Sequence, residues 1–167
     1  MNIVSATVAD HDAVWAILCP VIAAGETYPL PREMSRADAL AYWFAADHEV
    51  FVATEDGNVV GTYYIRPNQK GGGSHVANCG YVTAPWARGR GIARAMCNHS
   101  LRHAAARGFR AMQFNFVVST NERAVQLWQS FGFATVGRLP SAFLHPERGY
   151  VDAFVMYRTI VQGEDGP

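Results

Sequence analysis

Apolar and polar positions repeat along this chain with two periods, and the switches between them divide it into elements. Residues 2–8 predict a short strand, and Asp10 stands as a cap before Val14, Ile17, Leu18 and Val21, whose spacing is helical. Pro20 interrupts the apolar stretch from Val14 to Ala24, and Asp10 and Asp12 precede it, so neither a membrane span nor a secretory signal is expected. A second helix is predicted from Ser35 through Ala39, Leu40, Trp43 and Phe44 to about Asp47. Before it, Tyr28-Pro29-Leu30-Pro31 must be extended or turned, because proline restricts its neighbours. Two β-rich runs, Val50–Thr54 and Val59–Ile65, flank Glu55-Asp56-Gly57-Asn58, a hairpin signal. Lys70–Ser74 reads as a flexible glycine loop. A strand (His75–Val82), a helix (Gly91–Arg107), a strand (Ala111–Val118) and a helix (Asn121–Phe131) then alternate as a βαβα unit. Two β-rich runs follow, Ala134–Leu139 and Val151–Ile160. The expectation is an α/β chain folded as one domain over residues 1–162, with a flexible tail at 163–167.

Composition narrows the function. The 167 residues are 50% hydrophobic and 17% charged, as in a packed globular domain. Fourteen basic residues balance fourteen acidic ones, so no electrostatic reason exists to expect nucleic acid or an anionic membrane as partner; a small molecule is the better expectation. Cys19, Cys79 and Cys97 are odd in number and form no CxxC pair, which suits a reducing, cytoplasmic setting and offers no zinc set. His99 and His103 stand four apart without a third ligand, so no metal is expected.

The most informative segment is Tyr81-Val82-Thr83-Ala84-Pro85-Trp86-Ala87-Arg88-Gly89-Arg90-Gly91-Ile92-Ala93, between a strand and a long helix. Glycines there let backbone approach a ligand, and the helix start turns free N–H groups and a positive dipole end to the same point, which suits a phosphate; taken alone the segment reads equally as a tight strand-to-helix turn with its arginines in solvent. The spacing fits neither GxGxxG nor GxxxxGK[ST]. It does resemble the pyrophosphate loop of the GCN5-related N-acetyltransferases, Arg/Gln-x-x-Gly-x-Gly/Ala, and a second signature of that family stands downstream as Asn121 to Phe133. The resemblance implies a mixed central sheet splayed between two parallel strands and flanked by helices, with acetyl-CoA as cofactor. On that basis the amides of Arg88, Gly89, Arg90, Gly91, Ile92 and Ala93 would hold the pyrophosphate. Tyr81, Val82 and Thr83 would pair with the pantetheine arm, Asn121 would touch it, and the Val82 amide would serve the oxyanion. Most members carry a tyrosine in the following helix to protonate the leaving thiolate; Trp128 stands here, and an indole cannot do so. Tyr81, Tyr63 and Tyr157 are alternative donors, each also readable as a core or pocket aromatic.

Four further segments resemble the fungal acetyltransferases that detoxify azetidine-2-carboxylate: Gly25–Pro31, Val60–Asn68, Ser74-His75 and Phe114–Val117. That resemblance implies a cyclic amino acid such as azetidine-2-carboxylate or cis-4-hydroxyproline as acceptor, held by Asn78 and Asn115, and a possible homodimer. The residues themselves say less. Asn115 shares a strand face with Gln113 and Val117, opposite Met112, Phe114 and Phe116, and needs a hydrogen-bond partner from the fold or from a ligand. Amide donors suit a carboxylate, for which Arg66 is a second candidate, although a solvated residue at a strand end is the better reading of it from sequence. His75, at the mouth of the strand that carries Asn78, is the candidate general base because histidine is the residue type suited to that role near neutrality, and Asp152 is a weaker candidate with a turn role as its alternative. Rival readings are another small amine, a protein N-terminus, or a CoA-binding sensor without catalysis.

Overall fold

A computed structural model describes residues 1–160, so the end of the expected domain and the tail at 163–167 lie outside it. The strands are β1 (Asn2–Ser5), β2 (Glu49–Glu55), β3 (Asn58–Pro67), β4 (Val76–Thr83), β5 (Ala111–Val118), β6 (Ala134–His145) and β7 (Gly149–Thr159); the helices are α1 (His11–Ala24), α2 (Arg36–Trp43), α3 (Ile92–Ala106) and α4 (Glu122–Ser130). The β2–β3 hairpin turns at Asp56 (φ 50°) and Gly57 (φ 78°), the paired positive φ of a type I′ turn. Ser35 caps α2, its Oγ accepting from the Asp38 N–H at 3.1 Å. No described helix is long and apolar enough to cross a membrane.

Several boundaries differ from the sequence expectation for local reasons. The first strand ends at Ser5, because the Asp10 carboxylate accepts from the N–H (2.7 Å) and the hydroxyl (3.0 Å) of Thr7 and folds Val8–Asp10 into a 3₁₀ turn. Asp10 is thereby spent and makes no side-chain cap on α1. That helix continues through Pro20, where the ring removes the one N–H that the carbonyl of Ala16 would accept. The Lys70–Ser74 loop contains a 3₁₀ turn at Gly71–Gly73. The last two strands form a longer hairpin than expected, interrupted between Leu139 and Phe143, where Ser141 has φ 52°. Asp152 holds that irregularity by accepting from the Ser141 N–H at 2.8 Å and from Arg138. These bonds depress its carboxyl pKa, the Ser141 backbone contact most, and give it the turn role rather than that of a base.

The sheet order is β1-β2-β3-β4-β5-β7-β6. Opposite Gly80 and Asn78 of β4 stand Tyr64 and Arg66 of β3. Even-numbered residues of both strands face α1 and α2, where Trp43 Nε1 donates to Thr62 Oγ1 at 3.0 Å; odd-numbered residues face α3, where the Tyr63 hydroxyl meets His99 Nδ1 at 2.6 Å. Fully buried Ile17 and Trp43 fill the first interface, Tyr63 and Met96 the second. All neighbouring strands run antiparallel except β4 and β5. That parallel pair meets only at Val76–Ala111 and Ala77–Met112, after which the strands part.

Candidate active site

The parting of β4 and β5 opens a cleft of about 800 Å³. Its walls are the free edge of β4, the near end of β5, the loop into α3, the first turns of α4 and the α1–α2 connection. Ladder parity determines which backbone groups reach it. Asn68 N–H donates to the Val76 carbonyl at 2.7 Å and Ala84 N–H to the Val60 carbonyl at 2.9 Å, so even-numbered β4 residues turn their N–H and C=O toward β3. The amide of Val82, expected to face the oxyanion, is therefore committed to the ladder opposite Thr62. Cleft-facing groups belong to Cys79, Tyr81 and Thr83 instead. Tyr81 proves the point independently, because its carbonyl accepts the Tyr28 hydroxyl at 3.0 Å across the opening.

Beyond β4 the chain makes a 3₁₀ turn at Pro85–Ala87 and passes through Arg88–Gly91 into α3. Gly89 and Gly91 both have φ +79°, and a Cβ on either would meet no protein atom within 4 Å. Backbone conformation, and not crowding by the protein, thus calls for glycine, and the space beside each is open to a ligand. Arg88, Gly89, Gly91, Ile92 and Ala93 line the cleft, together with Arg94 and Arg123, which the sequence reading did not single out. Arg90 does not line it: its guanidinium is paired with Glu55 of the β2–β3 hairpin. Asn121 caps α4 through a 3.4 Å contact from the Ala124 N–H to its Oδ1, which leaves its Nδ2 for the cleft. Trp128 is buried between the rings of Tyr81 and Phe114, 5.0 Å from each centroid.

The tyrosines weighed as acids are engaged elsewhere. Tyr81 Oη lies 2.6 Å from Ser100 Oγ on the α3 side, where burial drives its pKa far up. Tyr63 is held by His99, and neither it nor Tyr157 lines the cleft. Three unanticipated tyrosines do. Tyr28 packs edge-on to Trp43, the Tyr42 and Tyr64 hydroxyls lie 3.4 Å apart, and the Tyr64 ring stacks on His48 at 4.1 Å. Gly80 makes this possible, since a Cβ there would sit 2.5 Å from Tyr64 Cε1. Desolvation raises the pKa of Tyr28 and Tyr64 and lowers that of His48, whose Nδ1 donates to the Trp43 carbonyl at 2.9 Å.

Both asparagines line the cleft, with partners the sequence left open. Asn78 Nδ2 donates to the Gln113 carbonyl at 2.9 Å across the apex of the opening. A carbonyl only accepts, so this bond fixes the amide and turns Oδ1 away from it. Asn115 is more exposed; its Nδ2 donates to Asn68 Oδ1 at 2.7 Å and its Oδ1 accepts from Gln113 Nε2 at 2.9 Å. Met112 and Phe114 form the apolar face as expected, but the β5–β7 register shifts between Phe114 and Val117, and the strict alternation ends there. His75 falls short of the cleft: it is exposed, precedes the paired part of β4, and its carbonyl accepts from Arg110 N–H at 2.9 Å. His103 Nε2 meets Glu49 at 2.9 Å, and no cluster of three metal-ligating side chains occurs among the described residues.

Comparison with known proteins gives one consistent result. A model of the acetyltransferase (GNAT) family matches residues 15–133. N-acetyltransferase aca1 of Schizosaccharomyces pombe is 31% identical over 148 residues, covering 78% of this chain and 71% of the relative. A GCN5-related N-acetyltransferase from Kribbella flavida is 41% identical, with a TM-score of 0.90 over 95% of this chain and 96% of that one. The Salmonella typhimurium acetyltransferase yncA, solved with acetyl-CoA, shares the fold at 20% identity, with a TM-score of 0.85 over 100% and 98% of the two chains. The chain is therefore an N-acetyltransferase of the GNAT family.

Proposed function

We propose that the protein transfers the acetyl group of acetyl-CoA to the amine of a small cyclic amino acid, of the size of azetidine-2-carboxylate or cis-4-hydroxyproline, by direct attack on the thioester. The observation that carries the donor half is the free edge of β4, whose Tyr81 amide faces the cleft below the glycine turn into α3. In that reading the Thr83 backbone pairs with pantetheine amides, Asn121 Nδ2 donates to the same arm, and the amides around Gly89 and Gly91 take the pyrophosphate at the helix start. Arg88, Arg94 and Arg123 supply positive charge nearby.

The amine nitrogen attacks the thioester carbon, and the oxygen gathers negative charge opposite the Tyr81 N–H. Tyr28, donating to the carbonyl of that same residue, anchors the Tyr81–Val82 peptide, the unit that follows the one carrying the Tyr81 N–H. The C–S bond then breaks and its electron pair leaves on sulfur. Trp128 supplies no proton, so the N-terminal dipole of α4 and solvent receive the thiolate. No histidine among the described residues lines the cleft; the ammonium gives one proton to water before attack, and the nitrogen, cationic again once bonded to the acyl carbon, gives its second proton to solvent as the thiolate leaves and takes one up from solvent. Orientation of amine beside thioester can supply about 7–11 kcal/mol of the barrier, which makes a weak acid and base tolerable.

A small acceptor is supported by the aromatic wall of Tyr28, Tyr42 and Tyr64, which lines the cleft together with Asn78. Among the described residues the lining carries Arg66, Arg88, Arg94 and Arg123 against Glu26 as its one acid, a charge balance that disfavours polyamines and aminoglycosides. The relationship to the fungal enzyme aca1 supports the N-acetyltransferase chemistry. The test is thiol release from acetyl-CoA across azetidine-2-carboxylate, cis-4-hydroxyproline, proline, a polyamine and an aminoglycoside. Selective turnover of the cyclic acids is expected, and turnover of only the polycations would refute the acceptor assignment.

A further inference from the structure

We infer that Arg66 is the specificity-determining residue for the acceptor, selecting amines that carry a carboxylate on the adjacent carbon; this rests on the amino-acid reading above. Arg66 and Asn78 are direct cross-strand partners on the face toward α1 and α2, so their Cβ atoms are about 4.5–5.5 Å apart. Both line the cleft. Asn78 spends one amide N–H on the Gln113 carbonyl and keeps its second N–H and its oxygen, so it can bond an amine or a carboxylate but, being neutral, selects neither by charge. Asn115 is tied to Asn68 and Gln113 through both ends of its amide. Neither neutral amide distinguishes an acid from its amide, so selection for a carboxylate needs a cation.

Arg66 is the cation placed for that role. Among the described residues its guanidinium has one ionic neighbour, Asp47, at 3.7 Å, and that side chain is 59% exposed. Such a long, solvated contact orients the side chain but engages little of a fork that carries five N–H donors. The other cations lining the cleft, Arg88, Arg94 and Arg123, sit on the loop and helices of the phosphate end. His48, the other basic side chain against Tyr64, has its pKa lowered by burial and adds no competing charge. Geometry also fits the reaction: Asn78 and Tyr81 are three residues apart, about 10 Å along the strand. An acceptor whose carboxylate lies at Arg66 and whose amine passes Asn78 Oδ1 points its nitrogen toward the thioester at Tyr81.

The experiment compares proline with prolinamide, and azetidine-2-carboxylate with its carboxamide, as acceptors for wild type, Arg66→Gln and Arg66→Lys. Within one protein the acid-to-amide ratio of kcat/KM does not depend on the fraction folded, so a partly unfolded variant still reports. Wild type is expected to prefer the acids, and Arg66→Gln to lower that ratio by about 10- to 100-fold, mostly through KM, as removal of a charge-assisted hydrogen bond requires. Arg66→Lys recovers part of the preference as a point charge. A wild-type ratio retained in Arg66→Gln would overturn the role of Arg66 while leaving the amino-acid reading intact. Failure of wild type to acetylate any of the four compounds, with other amines turned over, would overturn both.

Discussion

The two ends of the cleft are built from different materials. At the end proposed for the cofactor the wall is backbone: the unpaired edge of β4, the left-handed glycines 89 and 91, and the first turn of α3. At the end proposed for the acceptor it is side chains brought from four places in the chain, with Tyr28 before α2, Tyr42 on it, Tyr64 and Arg66 on β3 and Asn78 on β4. A backbone site tolerates substitution at most side chains and depends on a few conformations, whereas a side-chain site can change its ligand one residue at a time. One fold can therefore keep its donor while its acceptor varies.

Substitutions at the two ends should separate in their effects. Gly91→Val should act hardest, because a β-branched residue at φ +79° is strained by about 1–3 kcal/mol and places methyl groups in the open space beside the turn. CoA affinity by calorimetry should fall at least about tenfold. Undiminished affinity would remove the pyrophosphate from this turn. Next comes Gly80→Ala, whose methyl meets Tyr64 at 2.5 Å and must displace its ring, costing about 1–3 kcal/mol. Here the acceptor KM should rise while CoA binding persists; a loss of CoA binding alone would erase the distinction between the ends. Tyr28→Phe removes one hydrogen bond, worth about 1 kcal/mol or roughly fivefold in kcat/KM, and should leave both ligand affinities near wild type.

The smallest effect is expected from pH. Burial raises the pKa of Tyr28 and Tyr64, so both phenols keep their protons and donate throughout the range in which enzymes are assayed. With no histidine lining the cleft, log kcat/KM should climb with pH at unit slope until the free acceptor amine titrates, without an inflexion near about 6.5. His75→Ala should follow the same profile. An inflexion near neutrality that disappears in His75→Ala would restore the base role that the exposed position of His75 denies it.

The same contrast explains what could be read from sequence. Gly89 and Gly91 between a strand and a helix are local signals, and so are the Asp56-Gly57 turn and the βαβα alternation, all visible within a short window. The β4 amide that faces the cleft is that of Tyr81 and not that of Val82, because the direction of a strand's N–H depends on hydrogen-bond register with β3, which no single segment contains. Asn78 and Asn115 were legible as polar residues in apolar strands, but their partners Gln113 and Asn68 come from other strands or from beyond a strand end. Tyr28 lay in a recognised proline-flanked segment without any sign that it reaches Tyr81, 53 positions away. Arg90 stood inside the motif yet pairs with Glu55, and Asp10 stood where a cap belongs yet bonds Thr7. Long-range partners decided each of these outcomes except the last.

The most direct measurement is a crystal structure of the protein with acetyl-CoA and the assignment of the thioester oxygen. The oxygen should lie about 2.7–3.1 Å from the Tyr81 nitrogen, in the gap where β4 and β5 part, with the pyrophosphate over Gly89 and Gly91. A thioester bonded to the Val82 amide, or seated outside that gap, would contradict the assignment of the cleft edge to catalysis.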